Sequence, residues 1–237
     1  MNFVVGIPTI NRADLLNQAL IKYDQCWPTL EIYILDNGNQ EIKTQNKNQK
    51  IFKTDLNIGV AASWNFLAER AFAEGYLRIL MLNDDIELLK SEKEINQKLN
   101  KYPDHCLVVQ EGTWSSFMLP KVVYDLIGPF DEIFYPAYFE NDDYAYRIKT
   151  HKHTDIQTDK VLNPTLYRES MSFKMDRILN KDFTKNKNRF VSKWGGEPKK
   201  EKFKSPYGLP IIPPPILTNT DSVKNCRITS SCVAPMA

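Results

Sequence analysis

Residues 3–7 form an unbroken apolar run that stops at Pro8, a pattern that predicts a strand buried on both faces of a parallel sheet. Asp14, Leu15, Leu16, Ala19, Leu20 and Tyr23 then follow at helical spacing, and a second apolar run at 31–35 ends at Asp36-Asn37-Gly38. The chain therefore opens β-α-β. A short strand is expected over 51–54, an Ala-rich helix over 60–73, and a fourth strand over 77–82, ending at Asn83-Asp84-Asp85. Further on, the pattern predicts an amphipathic helix over 92–101, strands over 106–110 and 116–119, a helix over 140–149 and an interrupted helix over 174–194.

Strands alternating with helices imply an α/β fold with a mostly parallel central sheet and helices on both faces, because parallel neighbours need crossover connections. Ligands of such sheets sit beyond the carboxyl ends of the strands. Three polar clusters, those following the first, second and fourth strands, fall there. Residues 205–237 are Pro-rich without periodicity, so the expected organisation is one domain over 1–204 followed by an extended or disordered tail.

Composition narrows the partners. The 237 residues carry a formal net charge of +2, too small a field to argue for nucleic acid. Basic residues are concentrated over 174–204, which suits phosphates, acidic glycans or peripheral contact with a membrane surface, and equally a solvated surface run. Cys26, Cys106, Cys226 and Cys232 show no metal-ligand spacing, and a chain of this size does not need disulfide staples. The first residues lack a charged segment and an apolar stretch long enough for a signal peptide, and no run reaches a membrane span of ~18 apolar residues. A cytoplasmic location is expected.

Asn83-Asp84-Asp85 places two adjacent carboxylates after an apolar strand, where they repel unless donors or a cation lie between them. Mg²⁺ or Mn²⁺ is suited to one or two such carboxylates plus substrate phosphates. A turn or helix cap would use the same residues. Asp36-Asn37-Gly38 has the chemistry to bind a base or ribose, and also that of an ordinary turn. Asn57-Ile58-Gly59-Val60 opens the Ala-rich helix, where backbone amides favour phosphate or sugar oxygens, although a simple cap by Asn57 accounts for it as well. Glu140, Asp142 and Asp143 stand together at a helix start after Phe134, Tyr135 and Tyr138. The helix dipole welcomes acids there, yet three exceed what capping needs, and a buried one would serve as a general base.

Taken in order, these clusters resemble glycosyltransferase family 2, inverting enzymes of the GT-A fold. Ile7-Pro8-Thr9-Ile10-Asn11-Arg12 looks like the family's opening strand and loop, Asp36-Asn37-Gly38 like its base-binding turn, and Asn57-Ile58-Gly59 like its donor-contacting loop. Leu82-Asn83-Asp84-Asp85-Ile86 is similar to the metal motif of rhamnosyltransferase-like members. Gly128-Pro129-Phe130-Asp131-Glu132 with the segment from Phe139 to Arg147 resembles the part of the family that ends in a catalytic Glu-Asp pair. The resemblance spans about residues 1–205 and departs at two places. Asn141 stands where the Asp of that pair is usual, and an amide cannot take a proton. No His stands at Tyr167-Arg168-Glu169-Ser170, where many members carry a metal ligand, and His151 and His153 lie in a polar stretch.

The resemblance implies transfer of a sugar from a nucleotide-diphospho-sugar, by family default a UDP-sugar, to a hydroxyl of a glycan or of a lipid- or protein-linked glycan. It implies Mn²⁺ or Mg²⁺ on Asp85 with Asp84. Pro8, Thr9, Asn11, Arg12, Asp36, Asn37, Asn57, Gly59, Val60, Asn83 and Asp84 would contact the donor. Asp142, and after it Glu140, would be the base, with Asp143 structural. Trp114, Tyr138 and Trp194 would meet the acceptor, Trp194 from a Lys193-Trp194-Gly195-Gly196 segment that closes over the site. Two rivals are a sugar-nucleotide pyrophosphorylase, which would need a Gly-rich phosphate loop that the sequence lacks after its first strand, and a degenerate sugar- or nucleotide-sugar-binding module.

Overall fold

In the computed structural model, which describes residues 3–167 and 177–209, the apolar runs assemble into one seven-stranded sheet. The strands are β1 (Phe3–Thr9), β2 (Ile32–Asp36), β3 (Gln49–Lys53), β4 (Arg78–Leu82), β6 (Cys106–Val109), β7 (Ser116–Pro120) and β8 (Asp155–Thr158), in the order β3-β2-β1-β4-β7-β6-β8. Strands β3, β2, β1 and β4 run parallel, as do β6 and β8, while β7 lies antiparallel to both its neighbours. A separate antiparallel pair joins β5 (Ile86–Glu87) to β9 (Leu166–Tyr167).

The helices are α1 (Ala13–Cys26), α2 (Gly59–Ala73), α3 (Glu92–Leu99), α4 (Lys121–Ile127), α5 (Glu140–Thr150) and α6 (Arg177–Trp194). The double burial expected of the first strand holds. Phe3, Val5 and Ile7 enter a core packed by α1 and α3, whereas Val4 enters a second core packed by α2, α4 and α5. A smaller aromatic cluster of Phe134, Phe139, Tyr146, Phe190 and Trp194 joins α5 to α6.

Strand and helix bounds fall within a few residues of the pattern-based expectations. Of the predicted 174–194 helix, 177–194 is helical and 174–176 lie outside the described residues. So do residues 168–170 of the Tyr167-Arg168-Glu169-Ser170 segment and 210–237 of the expected tail.

The antiparallel β7 has a consequence for the site. Leu82 at the end of β4 pairs with Ser116 at the start of β7, and Val109 at the end of β6 pairs with Thr158 at the end of β8. The loops after β1, β2, β4, β6 and β8 and the one before β7 therefore all open on the same edge of the sheet.

Candidate active site

That edge carries a cavity of about 820 Å³. One wall is built by Pro8 and Thr9 at the end of β1 and Arg12 after it, Asn37 after β2, Asn83, Asp84 and Asp85 after β4, Asn57 just before α2, and Gly59, Val60, Ser63 and Trp64 in its first turns. The other is built by Gln110 to Ser115 apart from Glu111, by Pro136, Ala137 and Tyr138, by Glu140, Asn141 and Asp142 of α5, and by Lys199.

Local chemistry explains the shape. Gly59 has φ +83°, and a Cβ there would lie 2.9 Å from the Tyr135 ring and 3.0 Å from the Pro136 carbonyl oxygen. Only glycine allows this approach without strain. The contact is fixed by the Val60 N–H, which donates to the Pro136 carbonyl at 2.8 Å. Asn57 turns its Oδ1 to the Gly59 N–H at 2.9 Å, a local turn one residue ahead of the helix cap, which falls at Ile58 and not at Asn57 as its alternative role had it; Asn57 also lines the cavity. Asn186 of α6, fully buried, holds the opposite loop by donating to the carbonyls of Tyr135 and Ala137 at 3.3 and 2.8 Å.

The acidic turn after β4 faces this space. Burial pushes the Asp84 carboxyl up to about 7 and the neighbouring Asp85 charge adds to it, against hydrogen bonds from Thr9 and the Ile10 backbone and the charge of Arg12. A carboxyl so disfavoured as an anion gains from a cation beside it. The local donors, Asn83, Asp84 and Asp85, offer oxygen only, which fits Mg²⁺ or Mn²⁺. Among the described residues no three His, Cys, Asp or Glu side chains converge as a complete metal cage, so most of the coordination would come from substrate oxygens and water. His151 and His153 do not line the cavity; the His153 N–H donates to His151 Nδ1 at 3.3 Å.

The acids of α5 divide sharply. Asp143 is fully buried and saturated: Arg147 at 2.9 Å, Lys193 at 2.6 Å and the Trp194 indole N–H at 2.8 Å all reach its carboxylate. Its role is structural. Glu140, only 6 % exposed, lines the cavity, and its Oε2 has no partner. Burial pushes its carboxyl up to about 7, opposed by backbone amides of Glu140 and Tyr138 and reinforced by Asp142. Asp142 lines the cavity from a more open position, and burial followed by the charge of Glu201 raises its carboxyl while Lys199 lowers it.

Three residues expected at the site do not line the cavity. Trp194 is 1 % exposed, packed against Tyr146 and bonded to Asp143, so it has no face to offer an acceptor, because the aromatic cluster between α5 and α6 has absorbed it. Asp36 organises its turn instead of lining the cavity, with Oδ1 accepting from Gly38 N–H at 2.9 Å and Oδ2 from Gln40 N–H at 2.8 Å. Its neighbour Asn37 reaches the wall and donates to Ser63 Oγ at 2.7 Å. Asn11, at φ +55°, packs on that same turn near Gly38 and is not among the lining residues.

Trp114 and Tyr138 do line the cavity. Sequence reasoning missed Trp64 and Lys199. Trp64 read as one more apolar position of the Ala-rich helix, and Lys199 reaches the wall through a loop whose path no periodicity encodes.

The crystal structure of TarS from S. aureus superposes on 81 % of this chain with a TM-score of 0.53 at 14 % identity. The fold is of the GT-A type. A second TarS structure, of residues 1–349, covers 81 % of this chain and 64 % of its own at 13 % identity and a TM-score of 0.49. The present chain spans 39 % of the first TarS chain. No protein-family description matches the sequence, and no curated protein matches it either. No helix among the described residues is long and apolar enough to cross a membrane.

Proposed function

We propose that the protein is a glycosyltransferase that moves a sugar from a nucleotide-diphospho-sugar to an acceptor hydroxyl with inversion. One observation carries this reading: the Asp84-Asp85 turn and Glu140, whose carboxylate keeps an oxygen without a partner, line a single cavity at the carboxyl edge of a GT-A sheet. The acid turn suits the diphosphate end of a donor, and Asn37, Asn57 and Arg12 offer polar contacts to the rest of the nucleotide. A divalent ion held by Asp85 and Asp84 would supply Lewis-acid neutralisation of the leaving diphosphate.

In the proposed reaction the acceptor oxygen attacks the anomeric carbon from the face opposite the diphosphate. A new glycosidic C–O bond forms as the bond to the diphosphate breaks. Glu140 Oε2 accepts the hydroxyl proton. Its carboxyl is tuned close to neutral pH, the range in which a general base works best. Burial and the missing partner favour Glu140 over Asp142 for this role, and Asn141 is excluded because an amide cannot act as a base. Tyr138 and Trp114 offer aromatic faces for an acceptor glycan. A UDP-sugar, Mn²⁺ and a cytoplasmic setting complete the proposal, with residues 1–204 as the transferase domain.

The test is incubation with UDP-, GDP- and dTDP-sugars, Mn²⁺ and a panel of glycan acceptors, following nucleoside diphosphate release and the anomeric configuration of the product. Turnover that disappears in Asp85→Ala supports the proposal. Metal-dependent nucleotide binding with no turnover would support a binding module instead, a reading that Asn141 leaves open.

A further inference from the structure

Indole N–H groups buried in proteins usually find an acceptor. Two of the four tryptophans here obey that rule inside the protein: Trp27 donates to the Lys90 carbonyl at 2.7 Å and Trp194 to Asp143 at 2.8 Å. Trp64 is buried to a similar degree, 3 % exposed, yet its Nε1 has no partner. It is also a cavity-lining residue, unlike Trp27 and Trp194. Edge-to-face contacts with Phe117 and Phe130, each with ring centroids 5.0 Å away, fix the indole plane without supplying an oxygen. A fixed indole with an unsatisfied donor thus forms part of the wall of the proposed site.

We propose that Trp64 is a ligand-binding residue whose indole N–H donates to a hydroxyl oxygen of a sugar ring seated in this cavity. The proposal rests on the transferase reading for the kind of ligand, and on two further features for the chemistry. Around Trp64 the cavity offers the apolar surfaces of Val109, Trp114, Ala145 and Ile156, suited to the C–H faces of a pyranose. Glu140 supplies the complementary acceptor, so the residues lining the cavity include buried donors without a partner, at Trp64 and at Arg12 Nη1, and a buried acceptor without one, as polyhydroxylated ligands require. A site built to bond a hydroxyl discriminates strongly against an analogue that lacks it, because the protein group is then left unpaired.

The hydroxyl belongs either to the transferred sugar or to the acceptor, and indole N–H resonances of ¹⁵N-labelled protein separate the two. Full-length wild-type protein with Mg²⁺ is titrated with UDP alone, with UDP-glucose, UDP-N-acetylglucosamine and dTDP-rhamnose, and with methyl glycosides of glucose, galactose and N-acetylglucosamine. Through-bond assignment needs no variant, and the locked Trp27 and Trp194 signals serve as controls.

A Trp64 shift with a sugar nucleotide but not with UDP places the donor sugar on it, and a shift with a methyl glycoside places the acceptor there. Both outcomes support the proposal. No Trp64 shift with any probe overturns it and marks the N–H as packed on an aromatic face or bound to an internal water. Trp64→Phe, which keeps a ring and loses the donor, is expected to raise the KM of the recognised sugar roughly tenfold, the scale of one neutral hydrogen bond. Wild-type turnover with an unchanged Trp64→Phe enzyme would sink the Trp64 proposal alone. A Trp64 shift with methyl glycosides and no transfer from any donor would sink the transferase reading alone.

Discussion

The two ends of a single turn of α5 treat a buried acid in opposite ways. At Asp143 two cations and an indole converge on one carboxylate; at Glu140, three residues earlier and also buried, a carboxylate keeps an oxygen with no partner. The first arrangement uses charge to fasten α6 to α5. The second tolerates an unfavourable charge at a wall where a substrate can meet it. Burial by itself therefore does not distinguish a structural acid from a chemical one; the presence or absence of protein partners does.

The contrast is broken most severely at Asp143. Asp143→Ala takes a carboxylate from the buried Lys193, which keeps Asp131 at 2.7 Å, and from Arg147, which keeps the Ile127 and Pro129 carbonyls; removing one member of a buried ion pair costs about 3–5 kcal/mol, and the loss here is expected near the lower end, to be read in urea unfolding. Glu140→Gln should do the reverse: kcat falls on the order of a hundredfold, the general-base contribution, while the fold is retained. A loss of stability there with kcat intact would assign Glu140 to the scaffold.

A third test sharpens the difference through pH. The Glu140 carboxyl titrates near 7 in the fold against an ordinary value of 4.5, so protonation favours folding. The stability this group allows is complete below its ordinary value and is lost as pH rises through about 7, by at most ~3 kcal/mol. Glu140→Gln should flatten that slope in thermal melts of chelated protein, leaving the part that Asp84 contributes with the same sign. The smallest effect is expected from Asn141→Asp. If the base is Glu140, restoring an acid at 141 should change kcat less than threefold; a large gain would move the base there.

Much of the fold was legible because β1, β2 and β4 are buried on both faces, which forces continuous apolar runs that only a central strand needs. β8 was not, since its Asp-Ile-Gln-Thr lies at an exposed sheet edge where no face demands apolar residues. The short α4 was equally silent. Within the site, the strand-end residues Pro8, Thr9, Asn83, Asp84 and Asp85 could be placed because strand ends fix their positions. The fates of Trp194, Asp36 and Trp64 could not. Each is decided by a partner, or the lack of one, brought by distant chain: Asp143 lies 51 residues from Trp194.

That distance also orders events during synthesis. Ribosomes release α5 well before residues 186–194, so Asp143 leaves the exit tunnel without Lys193 or Trp194, and the 135–137 loop without Asn186. A nascent chain with its whole sheet already translated would still carry Asp143 with Arg147 alone, lacking the second cation and the indole. Completion of the cleft thus awaits α6, and a ribosome stalled before that helix should yield a protein readily cut by protease between 130 and 145.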